Sequence, residues 1–339
     1  MAKRGTIRDV AKAAAVSATT VSRWLNGSIS LPPQTADRLR LAIHQIGYEA
    51  NPHARRLSLG RADMLALVVP DIANPFFAQL ASAIEEAADE LGLGVVLYST
   101  LNRPGRELAT FDRLRQNYVD GLLFLTNHGD DGALRRCIDN QSAIVLLDED
   151  VPGTHVHKVF ADNDGGGQMA AQHLIAAGHR DCAFVGGPRD VMSAIERHRG
   201  FRSAFVAAGF AMRDECVRFG DYSSAHGRNA AAFLLGISPR PTAVFAAADE
   251  IALGLLETFH SRGISVPGAM SLVAFDDVSP LRLFHPPLTA IAQPVREMGR
   301  VGVARLVDQI RGKELPIGTL RLPVTLEIRE SVGTPACGA

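Results

Sequence analysis

Apolar residues in the first fifty positions recur at three- and four-residue steps, whereas from Met64 onward they gather into short unbroken runs. Ile7, Val10, Ala11 and Ala14 share one helical face, and Thr6 followed three residues later by Asp9 reads as a side-chain cap with its acidic partner. The pattern pauses at Ala15-Val16. Ser17 restarts it as a second cap, and Val21 and Leu25 form the apolar face of a helix that stops at Asn26-Gly27. This spacing predicts a helix-turn-helix, the unit whose second helix enters the DNA major groove with its N-terminal residues on base edges. Those residues here are Ala18, Thr19 and, one turn on, Arg23. A third amphipathic helix, from about residue 34 to 46, supplies Ala36, Leu39, Ile43 and Ile46 to close a small core. Trp24 is expected at the end of the second helix. A hairpin that merely packs is the alternative for so short a unit.

The segment Asn51-Pro52-His53-Ala54-Arg55-Arg56-Leu57 has a capping Asn, a Pro at the first helical position and a stop at Gly60. With no apolar stripe it is too short to persist alone. It reads as a hinge that orders when something supports it, with a flexible linker as the alternative. Beyond it, LALVV, VVLY, GLLFL and AIVLL alternate with helical stretches. A second series follows: KVF, CAFV, VRF, AVFAA and SLVAF, each again followed by a helical pattern. Runs buried on both faces indicate parallel sheets covered by helices, and two such series predict two doubly wound domains. Ligands of such sheets bind beyond the carboxyl ends of the strands. LTAI, a helix over about 295–311, GTLRL and VTLEI remain, and the tail after Glu330 reads as disordered.

Charge changes the picture of the first region. Up to Arg61 the chain carries ten Lys and Arg against three Asp and Glu, while the remainder carries 25 against 33. The overall charge of −1 is therefore a cancellation between a basic head and an acidic body, as expected of a nucleic-acid-binding arm. An apolar content of 47% with 21% charged residues suits a globular protein of two or three domains, and no apolar run reaches the length of a membrane span. The basic start is not followed by an apolar signal region. The four cysteines (Cys137, Cys182, Cys216 and Cys337) lack C-x-x-C spacing, so a reducing cytoplasm is expected rather than a zinc site or a disulfide framework.

The motifs TIRDVAKAAAVSATTVSRWLNG, IGYEANPHARRL, DIANPFF, DNDGGGQMAAQHLIAAGHR, FAAADEIALG and VAFDDVSPLRLFHPPLTAIAQP resemble the lactose/galactose-repressor family of bacterial transcription regulators over nearly the whole chain. That resemblance implies a helix-turn-helix headpiece (residues 1–50) and a hinge helix with linker (51–61). Behind them it implies two Rossmann-like subdomains of a periplasmic-binding-protein-like core. One subdomain would comprise 62–162 and 293–322, the other 163–292 and 323–331, with a disordered tail over 332–339. It further implies a homodimeric repressor on a pseudo-palindromic operator, under allosteric control by a small effector and needing no cofactor. The DNA-facing positions carried over are Thr6, Ser17, Ala18, Thr19, Thr20, Ser22, Arg23 and Asn26 in the headpiece. In the hinge they are Asn51, Ala54, Arg55 and Leu57, with Leu57 as a minor-groove wedge. Pro32-Pro33 departs from the usual Ser cap of the third helix and implies a shifted start.

For the effector the carried-over positions are Phe76, Phe77, Asp148, Phe160, Arg197, Tyr222, Asp249, Asp276 and Gln293. Carboxylates that accept hydroxyl protons, a guanidinium fork and flat aromatic faces suit a carbohydrate or polyol. A nucleobase remains the alternative, as does corepression in place of induction. Ala248 stands where several sugar-binding relatives carry Asn, which weakens the transfer of any particular sugar.

Other constellations are read as structural. Gly165-Gly166-Gly167 with Ala170 fits a dinucleotide pattern, but the next strand ends in Gly186-Gly187-Pro188 rather than an acidic residue, so the glycines are expected to let a helix approach closely. His155 and His157 are expected in a solvated loop. Asp276-Asp277 would point to opposite sides of an extended chain. No nucleophile or metal motif argues for an enzyme, and a transport solute-binding protein would lack the headpiece.

Overall fold

The computed structural model describes residues 5–25, 28–48, 62–116, 119–313 and 316–335. The chain forms two compact units, Met1–Ala62 and Asp63–Ala339. In the first, α1 (Ile7–Ala13), α2 (Ala18–Leu25) and α3 (Pro33–Ile46) enclose fully buried Val10, Val21 and Leu39. Pro32 takes the N-cap position of α3 without a side-chain bond, so the double proline leaves the helix intact. Trp24 is half-buried beside this core, with the Arg40 guanidinium 5.9 Å from its ring centre.

The second unit begins with β1 (Met64–Val69), α4 (Pro75–Asp89), β2 (Gly94–Ser99), α5 (Pro104–Gln116) and β3 (Gly121–Phe124). It continues with α6 (Ala133–Asp139), β4 (Ile144–Leu147) and β5 (His157–Ala161). A second run holds α7 (Asn163–Ala176), β6 (Cys182–Gly186), α8 (Met192–Ala207), β7 (Val217–Phe219) and α9 (Ser224–Leu234). It goes on through β8 (Ala243–Ala246), α10 (Asp249–Ser261), β9 (Ser271–Phe275), α11 (Ser279–Leu283) and β10 (Thr289–Ala292). Last come α12 (Val295–Ile310), β11 (Thr319–Leu322) and β12 (Thr325–Glu327).

Two six-stranded sheets result, ordered β11-β5-β4-β3-β1-β2 and β12-β10-β9-β8-β6-β7. Position by position they are the same arrangement, except that β11 runs parallel to β5 while β12 runs antiparallel to β10. The chain passes to the second sheet after β5, returns with α12, which lies on α4 and on β3 to β5, and crosses again between β11 and β12. The central strands are buried without alternation because helices cover both faces.

Two local expectations need correction, those for His157 and for the tail. Helix α7 itself starts at Asn163, where Asp162 caps it by accepting the Gly165 amide at 3.0 Å. Its glycines are tolerated for packing: a Cβ on Gly167 would collide with the Arg197 carbonyl, and one on Gly200 of α8 with the Asp164 carbonyl. His157 is no loop residue but the first residue of β5, buried, with Nδ1 3.2 Å from the Arg305 guanidinium. The supposed disordered tail is held at its start. Ser331 is fully buried and donates to the Leu272 carbonyl at 2.5 Å, and the Gly333 amide donates to Ser271 Oγ at 3.0 Å. His179 joins this cluster through Thr242 at 2.8 Å and the Gly333 carbonyl at 2.9 Å, so buried polar pairing orders the segment as far as residue 335.

Candidate functional site

The headpiece is built to present α2. Thr6 and Asp9 form a complete capping box: the Asp9 amide donates to Thr6 Oγ1 at 3.3 Å and the Thr6 amide to Asp9 Oδ2 at 2.9 Å. Ser17 caps α2 by accepting the Thr20 amide at 3.0 Å, and the two hydroxyls lie 2.8 Å apart. Ala15 adopts a left-handed φ of 53° in the turn between the helices. Val21 then faces the core, and Ala18 packs half-buried against it. Thr19 and Arg23 are exposed one turn apart on the same face, with Ser22 half-buried beside them. Asn26, Asn51, Ala54, Arg55 and Leu57 lie outside the described residues.

In the second unit a cavity of about 310 Å³ opens where the carboxyl ends of the two sheets meet. Phe76, Phe77, Asp148, Arg197, Tyr222, Asp249, Asp276 and Gln293 all line it. Phe76 and Phe77 follow the Asn74 cap of α4, which accepts the Phe76 amide at 2.8 Å, and their rings meet edge-on at 5.2 Å. Phe160 does not reach the cavity. Strand alternation turns it to the other face of the first sheet, where it is buried with Phe111 and Phe124.

Asp148 follows β4 and Asp276 follows β9, both with left-handed φ, 66° and 71°. Non-glycine residues held in this region carry strain that clusters at functional sites. Asp276 Oδ1 accepts from Gln293 Nε2 at 2.6 Å, and its Oδ2 lies 4.0 Å from Arg197 Nη1. Arg197, 3% exposed, stacks 3.6 Å over Phe275 and donates to Asn163 Oδ1 and to the Ala247 carbonyl, both at 2.8 Å. Burial pushes the Asp148 carboxyl up to about 6, with Arg197 opposing and Asp276 adding to the rise. Burial likewise raises Asp249 to about 7, helped by the nearby Asp276 charge, and raises Asp276 itself against Arg197 and Gln293. Asp277 turns away to a bidentate pair with Arg329 at 2.7 and 2.8 Å, as the alternation of adjacent side chains requires.

Sequence reasoning missed the groups that join the two halves. Asn74 Nδ2 donates to Asp249 Oδ1 across the cavity at 3.2 Å. Glu149, after β4, accepts from the Ser193 hydroxyl of α8 at 2.6 Å and from its amide at 3.2 Å, and Ser193 Oγ lies 2.7 Å from the Tyr222 hydroxyl. Burial lifts Glu149 to about 8, which keeps it largely protonated at neutral pH. Arg321 of β11 makes a bidentate pair with Glu196 of α8 at 2.6 and 2.7 Å. Only the Asn-Pro start of α4 left a sequence signal for any of these. Asn102 and Asn127 complete the lining from loops after β2 and β3. Among the described residues no group of three His, Cys, Asp or Glu is placed to hold a metal ion.

Comparison with known proteins places this architecture. Residues 6–51 match the family model described as bacterial regulatory proteins, lacI family, and residues 171–332 match a periplasmic binding protein-like domain. The regulator DegA of Bacillus subtilis (strain 168) is 36% identical over 329 residues, 96% of this chain and 97% of its own. The regulator CelR of Thermobifida fusca is 36% identical over 341 residues, 97% of this chain and 98% of its own. A solved CelR–cellobiose complex superposes with a TM-score of 0.74 at 34% identity, covering 97% of this chain and all of that one. The lac repressor dimer bound to operator and the anti-inducer ONPF superposes with a TM-score of 0.84 at 28% identity, covering 98% of this chain and 100% of the repressor's. With a capped helix-turn-helix in its first unit and a two-sheet cavity in its second, the chain belongs to the lacI family of bacterial regulatory proteins and is a ligand-responsive transcriptional regulator.

Proposed function

We propose that the protein is a cytoplasmic repressor rather than an enzyme. It binds a pseudo-palindromic operator as a homodimer and is released by a small carbohydrate or polyol held between its two sheets. The observation that carries this reading is the coexistence, in one chain, of an outward-facing Thr19–Arg23 pair on a capped second helix and a polar cavity flanked by Phe76, Phe77 and Tyr222. Arg23 pairs with a guanine edge, Thr19 and Ala18 read neighbouring bases, and Thr6, Ser17, Thr20, Ser22 and Asn26 contact the backbone. In the hinge, 51–61, Leu57 wedges into the minor groove, flanked by Ala54, with Asn51 and Arg55 alongside. Ligand that binds the open and closed arrangements of the two sheets unequally shifts their populations, and with them the spacing of the paired headpieces. The cellobiose in the CelR complex supports a sugar as the ligand.

The test is footprinting on fragments selected from random DNA. A symmetric protected site with two half-sites is expected. Protection without sequence preference would reject the reading.

A further inference from the structure

The walls of the cavity are unbalanced. Among the described residues, the buried side-chain oxygens without a hydrogen-bond partner are Asn102 Oδ1, Asp148 Oδ1, Asp249 Oδ2 and Gln293 Oε1, and all four belong to residues that line the cavity. The buried nitrogens without a partner, on Asn163, His173, His198 and His226, all lie elsewhere. Three donor groups of the wall are already engaged. Asn74 Nδ2 serves Asp249, Gln293 Nε2 serves Asp276, and Ser193 serves Glu149. The Gln293 amide has one sensible orientation, because turning it over would set two acceptors against each other at 2.6 Å. Arg197 spends two donors on Asn163 and the Ala247 carbonyl. The charges lean the same way. Asp71, Asp148, Asp249, Glu250 and Asp276 line the cavity, and Arg197 is the one cationic side chain among its described lining residues.

We infer that the cavity selects its effector by charge and donor count, taking an uncharged or amine-bearing polyhydroxyl ligand with several donors and excluding phosphorylated or carboxylated sugars. Buried acceptors left unpaired are costly, and a ligand that donates to them recovers that cost. A phosphate or carboxylate would enter a wall that already holds like charges. An ammonium group meets the excess of carboxylates instead. Proton linkage follows. Asp148 and Asp249 are held up to about 6 and about 7, and a donor ligand favours their ionised forms. Uptake therefore releases protons below about pH 7, and affinity rises from pH 5 to pH 8.

This inference rests on the reading of the cavity as the effector site, and the experiment separates the two. The full-length protein is titrated by calorimetry, at pH 5 and pH 8, with cellobiose and with matched gluco, galacto, manno and ribo sets. Each set holds the free sugar, the amino sugar where one exists, the sugar phosphate and the uronate. Binding confined to free or amino sugars, on the order of ten-fold tighter at pH 8, is expected. A phosphate or uronate binding as tightly as a free sugar, or a free sugar binding more weakly at pH 8, overturns the charge rule. Should no sugar bind, the carbohydrate reading is rejected, and the ligand-free protein still decides the charge rule. Asp249→Asn should raise the melting temperature at pH 8 and leave it unchanged at pH 4. Identical pH profiles for variant and wild type would overturn the rule without any ligand.

Discussion

Asp148 and Asp276 occupy the same place in two sheets of the same strand order, each just past the equivalent strand and each in a left-handed conformation. Their surroundings differ. Asp276 is met by Gln293 and faces Arg197, whereas Asp148 keeps a buried oxygen without a partner. The same strand order thus surrounds two equivalent carboxylates differently, while unpaired acceptors stand on both walls: Asn102 and Asp148 on the side of the first sheet, Asp249 and Gln293 on that of the second. Asn74–Asp249, Glu149–Ser193 and Arg321–Glu196 are polar links between the two halves.

The strongest way to break this asymmetry is to remove the shared counter-charge. Arg197→Ala leaves Asp276 and Asp148 buried with no cation and should lower unfolding stability at pH 8 by about 3–5 kcal/mol in urea titration. A loss below about 1 kcal/mol would show that Arg197 is not the partner the second wall depends on. Asp148→Asn tests the opposite wall. Its folded-state pKa, about 6, lies above the ordinary 3.8, so the carboxyl contributes stability at low pH that is lost as pH rises through about 6. The variant should therefore gain on the order of 1–3 kcal/mol over wild type at pH 8 and nothing near pH 3. A variant less stable than wild type at pH 8 would contradict the picture of Asp148 as a buried carboxyl short of partners.

A smaller effect separates the two sheets by their last strands. Ser331 ties the second sheet to the chain end, donating to Leu272 and accepting the Thr289 amide at 2.8 Å. Ser331→Ala should cost about 1–3 kcal/mol, with hydrogen exchange quickening in β9 and β10 and unchanged in β1 and β3. Uniform quickening would show that the sheets do not respond separately. The smallest effect lies outside both. Ala15→Gly relieves a left-handed alanine in the headpiece and should stabilise that unit by about 1 kcal/mol, leaving ligand affinity as it was. A changed ligand affinity would place the two-wall account in doubt.

Much of this architecture was legible in the sequence, and the reasons for the gaps are physical. Apolar runs such as SLVAF announce strands because central parallel strands are buried on both faces. Thr6 with Asp9, and Ser17, announce helix starts because capping is local chemistry. The start of α7 lies within DNDGGG, a run with the composition of a turn, because Asp162 and the close approach of α8 override propensity. His157, the tail at Ser331 and the Glu149–Ser193 link depend on partners far away in sequence, and no local pattern records them. Phe160 was placed by resemblance, and strand alternation sends it to the wrong face for the cavity. The eight other carried-over positions line one cavity, because they sit at strand ends and helix starts that the fold itself fixes.

The most direct test of the central claim joins the cavity to the headpiece. Fluorescence anisotropy of a selected operator duplex is followed as the tightest-binding sugar from the calorimetric panel is titrated into wild type and Arg197→Ala. The account predicts release of DNA from wild type as the cavity fills, and a response in Arg197→Ala weakened in step with its lost sugar affinity. Operator affinity that stays constant while the sugar saturates the wild-type cavity would contradict it.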